Sequence, residues 1–540
     1  MRALNLWTIV VALGSLIVFA ACGEDVGDNE ATINANQQNQ NDGINDVGPG
    51  NDVGPGNDVE PSNDVDPGND TEPSNDTQPD PVELGDPPVP GVDPSWVGGH
   101  SVQNRAIIVE HYGDSGPIMY FTSGIHGQER LAVTYAERFR TYLNAGYAED
   151  QGIQVVFMQS TNPDGTEIYD RYNINDVDLN RNFPTSNYHP GGVGGPEPLS
   201  EPETVAMKNV IDASNLTSAL TLHCCVPTFD ADGPGEELAQ DMSDAMDPEY
   251  RFGADPLGAA SGSMGSYVGV DMNKPIITVE FAGSHFMDPL VQLQQMDLAV
   301  DAAGVWTAQN GGAEQVDFDE MNTEDEWSLR SWYAGSSAGG LPLRVETAGE
   351  RQEETYVLLS GFDGSSLLGP WIAEHIRREL LALPQLDMQH WRMMTAVNPD
   401  GLAAGTATNA DGNDVAQVMD EAIVDGNSIS PEADSVVELL EDLTATVFLV
   451  MSSPDETDHV DIVGPRSDEL SEHIPSRFES GAVDLDLVQL LASEGHTVVQ
   501  ILVGSQNAEA QIEAGNWVDF DQTLNSPFDF SEMVLQMSYE

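Results

Sequence analysis

His126 and Glu129 are three residues apart in a glycine-flanked turn, Thr122-Ser-Gly-Ile-His-Gly-Gln-Glu-Arg130, that follows an apolar run. At the start of a helix, side chains at positions i and i+3 lie on the same face, so this imidazole and this carboxylate could bind one metal ion. The pattern alone is weak, because an exposed histidine and a first-turn glutamate interacting with the helix dipole would look the same. Later segments of the chain are needed to choose between the two interpretations.

Side chains of the same kinds recur later in the chain. His223 ends one apolar run, and Glu280 closes another in Thr278-Val-Glu280. Strand-like runs alternate with helical stretches, chiefly 131–143 and 203–213, which predicts an α/β fold whose sheet is covered on both faces. The strand-like runs are 105–110, 117–122, 153–160, 219–223 and 275–281. In such sheets active-site residues gather at the carboxyl ends of strands, where both residues and the His126 turn fall.

Five segments together resemble the zinc carboxypeptidase family, the M14 metallopeptidases. They cover about residues 95–310 and are His126-Gly-Gln-Glu129, Asn162-Pro-Asp-Gly165, Asp178-Leu-Asn-Arg-Asn-Phe-Pro184, Leu222-His223 and Thr278-Val-Glu280. The resemblance implies a mixed β-sheet flanked by helices, with a single zinc ion held by His126, Glu129 and His223. Three protein ligands and one open position are typical of catalytic zinc. Glu280 would take a proton from the attacking water and pass it to the leaving amine.

The resemblance also implies roles for residues that bind substrate. Arg171 matches the arginine that stabilises the tetrahedral oxyanion. Asn180 and Arg181 match the pair that binds the terminal carboxylate of the substrate, to which a guanidinium can donate two parallel hydrogen bonds. Tyr267 is the near candidate for a tyrosine that folds over the substrate, and a simple loop aromatic is the alternative. The short domain is closest in size to the bacterial murein-peptide amidases of the family.

A second, related segment follows the first. Ser331-Trp-Tyr-Ala-Gly335 repeats Ser95-Trp-Val-Gly-Gly99 at an offset of 236 (331 − 95), and Asn398-Pro-Asp-Gly401 repeats Asn162-Pro-Asp-Gly165 at the same offset (398 − 162). The catalytic residues are replaced in this copy: His126 by Asp363, Glu129 by Ser366 and, with looser alignment, His223 by Met451, Arg181 by Met419 and Glu280 by Ile501. Methionine and isoleucine cannot ligate zinc or accept a proton here, so we predict a degenerate, inactive carboxypeptidase-like domain at 325–505.

The amino terminus predicts export. Residues 1–22 contain an apolar stretch that ends in Phe19-Ala-Ala-Cys22, which resembles a bacterial lipoprotein signal with Cys22 as the lipidated residue; ordinary secretion is the alternative. Residues 23–90 are rich in Asn, Asp, Pro and Gly and contain hexapeptide repeats, so we expect a disordered tether. Calcium binding by the repeated aspartates is a weaker alternative, because no loop has a closing glutamate. The remaining cysteines, Cys224 and Cys225, are adjacent and indicate no disulfide framework.

Composition excludes one class of partner. Asp and Glu number 91 against 18 Lys and Arg, which gives a formal net charge of −73. A surface of this sign repels phosphate groups, so nucleic acid is not an expected partner. The expected contact with a membrane is made only through a lipid anchor on Cys22.

The sequence therefore predicts an exported zinc metallocarboxypeptidase of the cell envelope, lipid-anchored to a bacterial membrane or otherwise secreted. Its catalytic domain would be 91–315, with one Zn²⁺ per chain, and 506–540 would be an acidic C-terminal segment. The expected substrate is a peptide or peptide-like amide with a free C-terminal carboxylate near the scissile bond, including cell-wall peptides. Two alternatives stay open: a zinc-dependent deacylase of N-acyl amino acids, and a non-catalytic surface binding protein. The Asn162-Pro-Asp-Gly165 turn and the position of Glu280 favour the peptidase over the deacylase.

Overall fold

The computed structural model describes residues 95–283, 287–312, 329–349, 355–383, 389–425, 430–440, 443–453, 458–474, 486–504, 533–534 and 536–538. Residues 86–540 form one unit, and 1–85 form another that lies outside the described residues. The predicted signal sequence with Cys22 and the predicted tether at 23–90 therefore lie outside them as well. No described helix has the length and apolarity that crossing a bilayer would require.

The first half, residues 95–312, is built on one mixed sheet. Its strands β1 to β7 are Ser95–His100, Ala106–Tyr112, Ile118–Thr122, Gln154–Met158, Ser218–Cys225, Thr228–Asp232 and Ile276–Ala282. Its helices α1 to α6 are Arg130–Asn144, Tyr147–Gln151, Pro163–Ile168, Pro202–Ala213, Glu236–Ala245 and Pro289–Asn310. The strand order is β1-β2-β4-β3-β5-β7-β6, and the central strands β4, β3, β5 and β7 are parallel.

The central strands of the first half are apolar along their whole length because both faces of the sheet are covered. All five residues of β3 and of β4 are buried. On one face, α1 presents Ala132, Tyr135, Phe139 and Leu143, whose helical spacing forms a single apolar stripe against the sheet. On the other face, α4 and a π-helix at Gly265–Asp271 cover the strands. The sheet is thereby held rigidly, and its strand ends are fixed.

The second half, residues 329–538, has a sheet of the same strand order. Its strands β8 to β14 are Arg330–Ser336, Pro342–Ala348, Thr355–Ser360, Trp391–Met394, Ala445–Ser453, His459–Val463 and Thr497–Gly504. Its helices α7 to α12 are Leu368–Leu381, Pro399–Ala404, Val415–Asp425, Pro431–Leu440, Ser467–Leu470 and Asp486–Ser493. The order β8-β9-β11-β10-β12-β14-β13 repeats that of the first half strand by strand. From the segment predicted as an acidic tail, Met533, Val534 and Met537 are buried in this half's core.

Polar contacts that fix the turns are repeated in the two halves as well. Asp164 accepts hydrogen bonds from Ser101 Oγ (2.8 Å) and from the backbone of Gln103 (2.9 Å). In the second half Asp400 accepts hydrogen bonds from Ser337 Oγ (2.6 Å) and from the backbone N–H of Gly339 (2.7 Å). The predicted α/β architecture, a mixed sheet flanked by helices and present twice, is therefore confirmed.

The two halves meet through a buried cluster of charges between α1 and α7. Nε of Arg140 donates to Glu110 (2.7 Å), and its Nη2 donates to Glu346 of the second half (3.0 Å). Arg377 of the second half does the reverse: its Nη2 donates to Glu110 (2.9 Å) and to Glu346 (2.7 Å). All four side chains are buried, so each charge depends on the others for compensation.

A further acid in this contact predicts how stability depends on pH. Glu137 of α1 accepts from Arg378 (2.8 Å) and lies 3.1 Å from His375 Nδ1. Burial alone would raise its pKa, but His375 and Arg378 lower it from 4.5 to about 2. A carboxyl with a depressed pKa in the folded state contributes stability above its unfolded pKa, and this contribution is lost as the pH falls through the folded value.

We expect the free energy of unfolding to include a Glu137 contribution that declines by about 1.4 kcal/mol per pH unit in this window, because the unfolded chain binds one more proton. Urea unfolding measured from pH 4.5 down towards 2 should therefore have a smaller slope in Glu137→Gln than in the natural chain. Glu237→Gln, an exposed position on α5, is the control and should leave the slope unchanged. Equal slopes for the natural chain and Glu137→Gln would contradict the prediction.

Candidate active site

Three side chains converge at the carboxyl ends of β3 and β5. His126 lies in the loop after β3, Glu129 directly precedes α1, and His223 is in β5. Nδ1 of His126 lies 2.9 Å from Oε1 of Glu129, and Nδ1 of His223 lies 3.0 Å from Oε2 of the same carboxylate. One donor atom from each residue lies within 4.8 Å of the others, and all three residues are buried. Within the described residues, this is the one group of His, Cys, Asp and Glu side chains placed to hold a metal ion.

The chemistry of this donor set fits zinc. Two imidazole nitrogens and one carboxylate oxygen are ligands that Zn²⁺ accepts, and three protein ligands leave a position for a water or substrate oxygen. The three residues meet because β3 and β5 are adjacent and parallel, so that the carboxyl ends of the two strands lie at one edge of the sheet. The structure thus brings together the three residues predicted as ligands.

Glycines let the His126 turn pack closely against the next turn of the chain. Gly124 has a φ of +67°, which residues with a side chain rarely adopt. A Cβ on Gly127 would lie 2.0 Å from the carbonyl carbon of Gly165. Asn162 completes the contact, since its Oδ1 accepts from the Gly165 N–H (2.9 Å) and its Nδ2 donates to the carbonyl of Ile125 (3.3 Å). The Asn162-Pro-Asp-Gly165 motif therefore holds the metal-binding turn in place.

The electrostatics of the cluster keep Glu129 ionised. Burial raises the pKa of Glu129, but the neighbouring His223 and His126 lower it further, to about 2. Burial lowers the pKa of His126, yet the hydrogen bonds and charges of Asp178 and Glu129 outweigh burial and raise it. Burial lowers the pKa of His223, and Glu129 opposes this only in part. The carboxylate is charged, as a metal ligand must be, and it orients both imidazoles through short contacts.

Asp178, the first residue of the Asp178–Pro184 motif, contacts His126 in a way that the sequence does not indicate. Its Oδ1 lies 3.0 Å from Nε2 of His126, on the side of the ring away from Glu129. A carboxylate in this position fixes the tautomer and orientation of a ligating histidine. The sequence shows only that an acidic residue precedes the Leu179-Asn-Arg181 segment. Its partner, His126, is 52 residues away and is identified only by the structure.

Arg171 joins the same group. Its Nη2 and Nε donate to Oδ2 of Asp178 (3.0 and 3.2 Å), and its Nη1 lies 3.6 Å from Oε1 of Glu129. About a third of its side chain, 32%, is exposed, so the guanidinium faces the solvent side of the metal-binding cluster. The structure therefore places Arg171 where it could donate to an oxygen that develops charge at the site.

Glu280 lies beside His223 in the sheet. The two are paired in the ladder between β5 and β7, so their side chains are on the same face. Oε2 of Glu280 is buried and has no hydrogen-bond partner within the described residues. Burial, and to a smaller extent the charge of Glu129, raise the pKa of Glu280 to about 7. This half-buried carboxyl is thus poised to gain or lose a proton near neutral pH.

Asn180 and Arg181 lie in a short 3₁₀-helix that Asp178 caps. Oδ1 of Asn180 accepts from the backbone N–H of Met264 (2.9 Å), which leaves its Nδ2 without a partner in the described chain. Arg181 donates one hydrogen bond, to the carbonyl of Asn180 (2.6 Å), and has no ion-pair partner among the described residues. A half-buried guanidinium that forms no ion pair within the described residues can bind an anion.

Tyr267 is not brought to the site. Its hydroxyl donates to Asp212 of α4 (2.7 Å), and its ring packs against Phe183 at a centroid distance of 5.8 Å. The alternative, a simple loop aromatic, does not describe this position either, because Tyr267 lies in the π-helix Gly265–Asp271. Spacing in the sequence could not identify these contacts because the π-helix that contains Tyr267 turns its ring towards α4.

The two adjacent cysteines follow the His223 ligand directly and are bonded to each other. Cys224 and Cys225 form a disulfide at the end of β5. The expectation of no disulfide framework holds only in the sense that this bond joins neighbours and closes no loop between distant elements. It limits the backbone conformations available to the residues next to His223.

The second half lacks this chemistry at the corresponding positions. Strand pairing puts Met451 at the position of His223, as predicted, but it pairs Met451 with Leu502 where the first half pairs His223 with Glu280. The residue at the position of Glu280 is therefore Leu502, one residue beyond the predicted Ile501. Asp363, at the position of His126, is exposed, and its Oδ1 accepts from the backbone of Ser365 (2.8 Å).

The position of Arg181 in the second half also differs from the looser sequence alignment. Asn173 and Asn409 occupy equivalent places, because the N–H of each donates to a carbonyl four residues later. This pair gives an offset of 236 (409 − 173), at which Gln417 is equivalent to Arg181. Met419, the residue predicted for that position, is instead buried in the core of the second half. A glutamine there still lacks the positive charge that an anion would need.

Comparison with known proteins agrees with this geometry. Residues 96–225 match the zinc carboxypeptidase family. The chain is 28% identical over 206 residues to murein peptide amidase A of Escherichia coli, over 32% of this chain and 80% of that protein. It is 28% identical over 148 residues to carboxypeptidase SOL1 of Arabidopsis thaliana, over 26% of this chain and 30% of that protein, so it spans less than a third of the plant relative's length.

Two solved structures align with part of the chain. Murein-tripeptide amidase from Escherichia coli O157 aligns with a TM-score of 0.31 and 22% identity, over 39% of this chain and 93% of that one. Carboxypeptidase A from Helicoverpa armigera aligns with a TM-score of 0.35 and 19% identity, over 41% and 69%. The family match and the amidase relative support a metallopeptidase of this family.

Asp178 leads to a prediction about metal binding. In Asp178→Asn we expect zinc affinity to fall by about 10–100-fold, since a neutral amide orients His126 less strongly and raises its basicity less. Asparagine keeps the acceptor that caps the following 3₁₀-helix, so the backbone should be preserved. Competition with a fluorescent zinc chelator measures the change, with Asp212→Asn on the surface of α4 as the matched control. Unchanged affinity in Asp178→Asn would show that Asp178 does not support the ligand.

Proposed function

We propose that this chain is a zinc-dependent metallocarboxypeptidase that hydrolyses peptide or peptide-like amide bonds near a free C-terminal carboxylate. The observation that carries the proposal is the convergence of His126, Glu129 and His223 within 4.8 Å, beside a carboxyl, Glu280, with a raised pKa. The unpaired Arg181 nearby adds a preference for an anionic substrate end. These features support catalysis over a non-catalytic binding role, in which a buried cluster of this kind would only reduce stability.

Zinc bound by His126, Glu129 and His223 would supply Lewis acidity, which polarises a carbonyl and lowers the pKa of water. The chain itself moves the proton. The carboxylate of Glu280 accepts a proton from the attacking water and then gives it to the nitrogen of the leaving amine, a sequence that suits a carboxyl whose pKa is about 7.

Arg171 and Arg181 bind two different anionic groups, the developing oxyanion and the terminal carboxylate of the substrate. Arg171 is held by Asp178 and donates to the oxygen of the scissile carbonyl as negative charge develops on it. Arg181 and the free Nδ2 of Asn180 bind the terminal carboxylate of the substrate and so set which bond lies at the metal. This arrangement fixes the reacting carbonyl before chemistry begins.

The second half is proposed to be non-catalytic. Met451, Leu502 and Gln417 stand at the positions of His223, Glu280 and Arg181, and none of them can ligate zinc, move a proton or pair with a carboxylate. One zinc per chain, in the first half, follows from this. We further propose export with a lipid anchor on Cys22, and cell-wall peptides as candidate substrates because of the similarity to murein peptide amidase A.

The test uses residues 23–540, without the proposed signal sequence and lipidated Cys22, purified with zinc. We expect one zinc per chain by metal analysis, hydrolysis of peptides with a free C-terminal carboxylate, and little hydrolysis of the same peptides amidated at that carboxylate. Murein tripeptide and N-acyl amino acids complete the substrate set. Zinc binding with hydrolysis of acyl amino acids alone would replace the peptidase by the deacylase, and absence of zinc and of hydrolysis would leave a binding protein.

A further inference from the structure

We infer that the second half is a built-in partner subunit of the first, joined to it by a charged surface that matches these two different halves and does not match two copies of the first half. We call this surface the pseudo-twofold interface; it comprises Ser95, Glu110, Glu137 and Arg140 of the first half, and Ser331, Arg344, Glu346, Glu374, Arg377 and Arg378 of the second. The inference concerns what the second half does and does not depend on the proposed reaction.

The centre of the pseudo-twofold interface is symmetric. Glu110 and Glu346 are equivalent at an offset of 236 (346 − 110), and Arg140 and Arg377 at 237 (377 − 140). Each arginine donates to the glutamate of its own half and to that of the other half. The edge strands meet at the same place, since Ser331 Oγ donates to the carbonyl of its equivalent, Ser95 (3.3 Å). Such an arrangement, in which the same patch of two related folds meets itself, is that of a twofold dimer.

The periphery of the pseudo-twofold interface is not symmetric. Arg344 of the second half lies 3.6 Å from Glu110, but the equivalent residue of the first half, at the offset of 236, is Ile108. Arg378 pairs with Glu137 at 2.8 Å, but its equivalent in the first half, at the offset of 237, is Thr141. The second half therefore supplies two cations that the first half lacks.

These two cations decide which pairing is electrostatically possible. In the observed pairing, five carboxylates (Glu110, Glu137, Glu346, Glu374 and Glu379) face four guanidinium groups (Arg140, Arg344, Arg377 and Arg378) and the imidazole of His375, which lies 3.1 Å from Glu137. Two copies of the first half would bring two copies each of Glu110 and Glu137 against two copies of Arg140, because Arg138, the equivalent of His375 at the offset of 237, pairs with Asp297 of its own half (2.7 Å). Buried charge without compensation is strongly unfavourable, so the first half fits the second half and not a second copy of itself.

Apolar side chains also pack across the pseudo-twofold interface. Ile108, at the position of Arg344, packs against the core of the second half, and Trp371 of α7 belongs to the core of the first half. The indole Nε1 of Trp371 also donates to Glu137 (3.3 Å). The pseudo-twofold interface thus combines packing of α1 against α7 with the charged centre, as a stable subunit contact does.

The experiment uses the full mature chain with a protease recognition site inserted into 313–328, the segment that joins the halves. After cleavage, we expect the two fragments to elute together in size-exclusion chromatography with light scattering, as a one-to-one complex. Because buried ion pairs are screened little by salt, the complex should persist at high salt. Separation of the natural fragments after cleavage, or pairing of first-half fragments with each other, would overturn the inference.

A double variant tests the charge matching. Arg344→Ile with Arg378→Thr gives the second half the residues that the first half has, and should weaken the cleaved complex by roughly 100-fold because Glu110 and Glu137, both buried, each lose one cationic partner. Arg344→Lys with Arg378→Lys keeps the charges and should remain associated. Arg251→Ile, in an exposed pair with Asp244, is the matched control outside the interface. Undiminished association of the Ile/Thr variant would refute the role assigned to the two cations.

Discussion

Replacing Glu280 with glutamine is expected to reduce hydrolysis by about 10²–10⁴-fold, the usual contribution of a positioned general acid–base. The substitution keeps the shape of the side chain and removes only its ability to take up and release a proton. The metal-binding residues His126, Glu129 and His223 are untouched, so zinc content should stay the same. Single-turnover hydrolysis of a carboxylate-terminated peptide, measured with metal content on the same sample, checks both parts of the expectation.

The pH profile separates a proton-transfer role for Glu280 from a role in packing. The natural chain should lose activity on the acidic side as Glu280 becomes protonated, and the residual activity of Glu280→Gln should lack that limb. Glu237→Gln, on the exposed face of α5, provides a matched change that should leave the rate and profile as they are. Retention of most activity in Glu280→Gln would remove Glu280 from the mechanism, and loss of zinc in it would indicate a structural role.

Arg140→Met is expected to lower the free energy of unfolding by about 3–5 kcal/mol, the range measured when one partner of a buried ion pair is removed. Arg140 donates to Glu110, Glu346 and Glu374, so methionine would fill the volume but leave three buried carboxylates facing fewer cations. Guanidinium chloride unfolding of the full chain, monitored by circular dichroism and by tryptophan fluorescence, measures the change.

The control for Arg140→Met is the same substitution at Arg251, a solvent-exposed arginine of the same chain. Arg251 pairs with Asp244 at 2.7 Å, and both side chains are well exposed, 36% and 56%. Exposed pairs contribute about 0–1 kcal/mol, so Arg251→Met should be nearly neutral. Equal, small effects at the two positions would mean that the charged centre between the halves does not stabilise the fold.

Much of the catalytic half could be predicted from the sequence because its chemistry is concentrated in short motifs. His126 and Glu129 are three residues apart, and His223 and Glu280 end apolar runs that became the adjacent strands β5 and β7. Parallel strands bring their carboxyl ends together whatever the loops between them do. The four residues therefore meet at one edge of the sheet, as the motif order suggests.

Two strands were missed for a physical reason. Ser95–His100 contains two glycines, and Thr228–Asp232 contains two aspartates, so neither has the apolar alternation that indicates a strand. Both lie at the edges of the sheet, where only one neighbour constrains the sequence. Tertiary pairing decided their conformation over local propensity.

Register and burial in the second half could not be read from the sequence. A shift of one residue between Ile501 and Leu502 leaves the apolar pattern of β14 unchanged, and only its pairing with β12 shows which of the two faces the lost site. Likewise Glu110 and Arg140 look like surface charges on amphipathic elements, although both are buried. The one indication in the sequence was that Glu110 is repeated as Glu346, which suggests the same role for this carboxylate in both halves.

The charged centre between α1 and α7 implies that the two copies tolerate mutation differently. A duplicated copy that no longer needs to catalyse is free to change residues such as Asp363 and Ser366, which face solvent or local backbone. It is not free to change Arg377 or Glu346, because the other copy would then contain an uncompensated charge. The proposed absence of catalysis in the second copy is therefore compatible with retention of its contact surface, and mutational scanning should find this copy permissive at the positions equivalent to His126 and Glu129 and intolerant along α7.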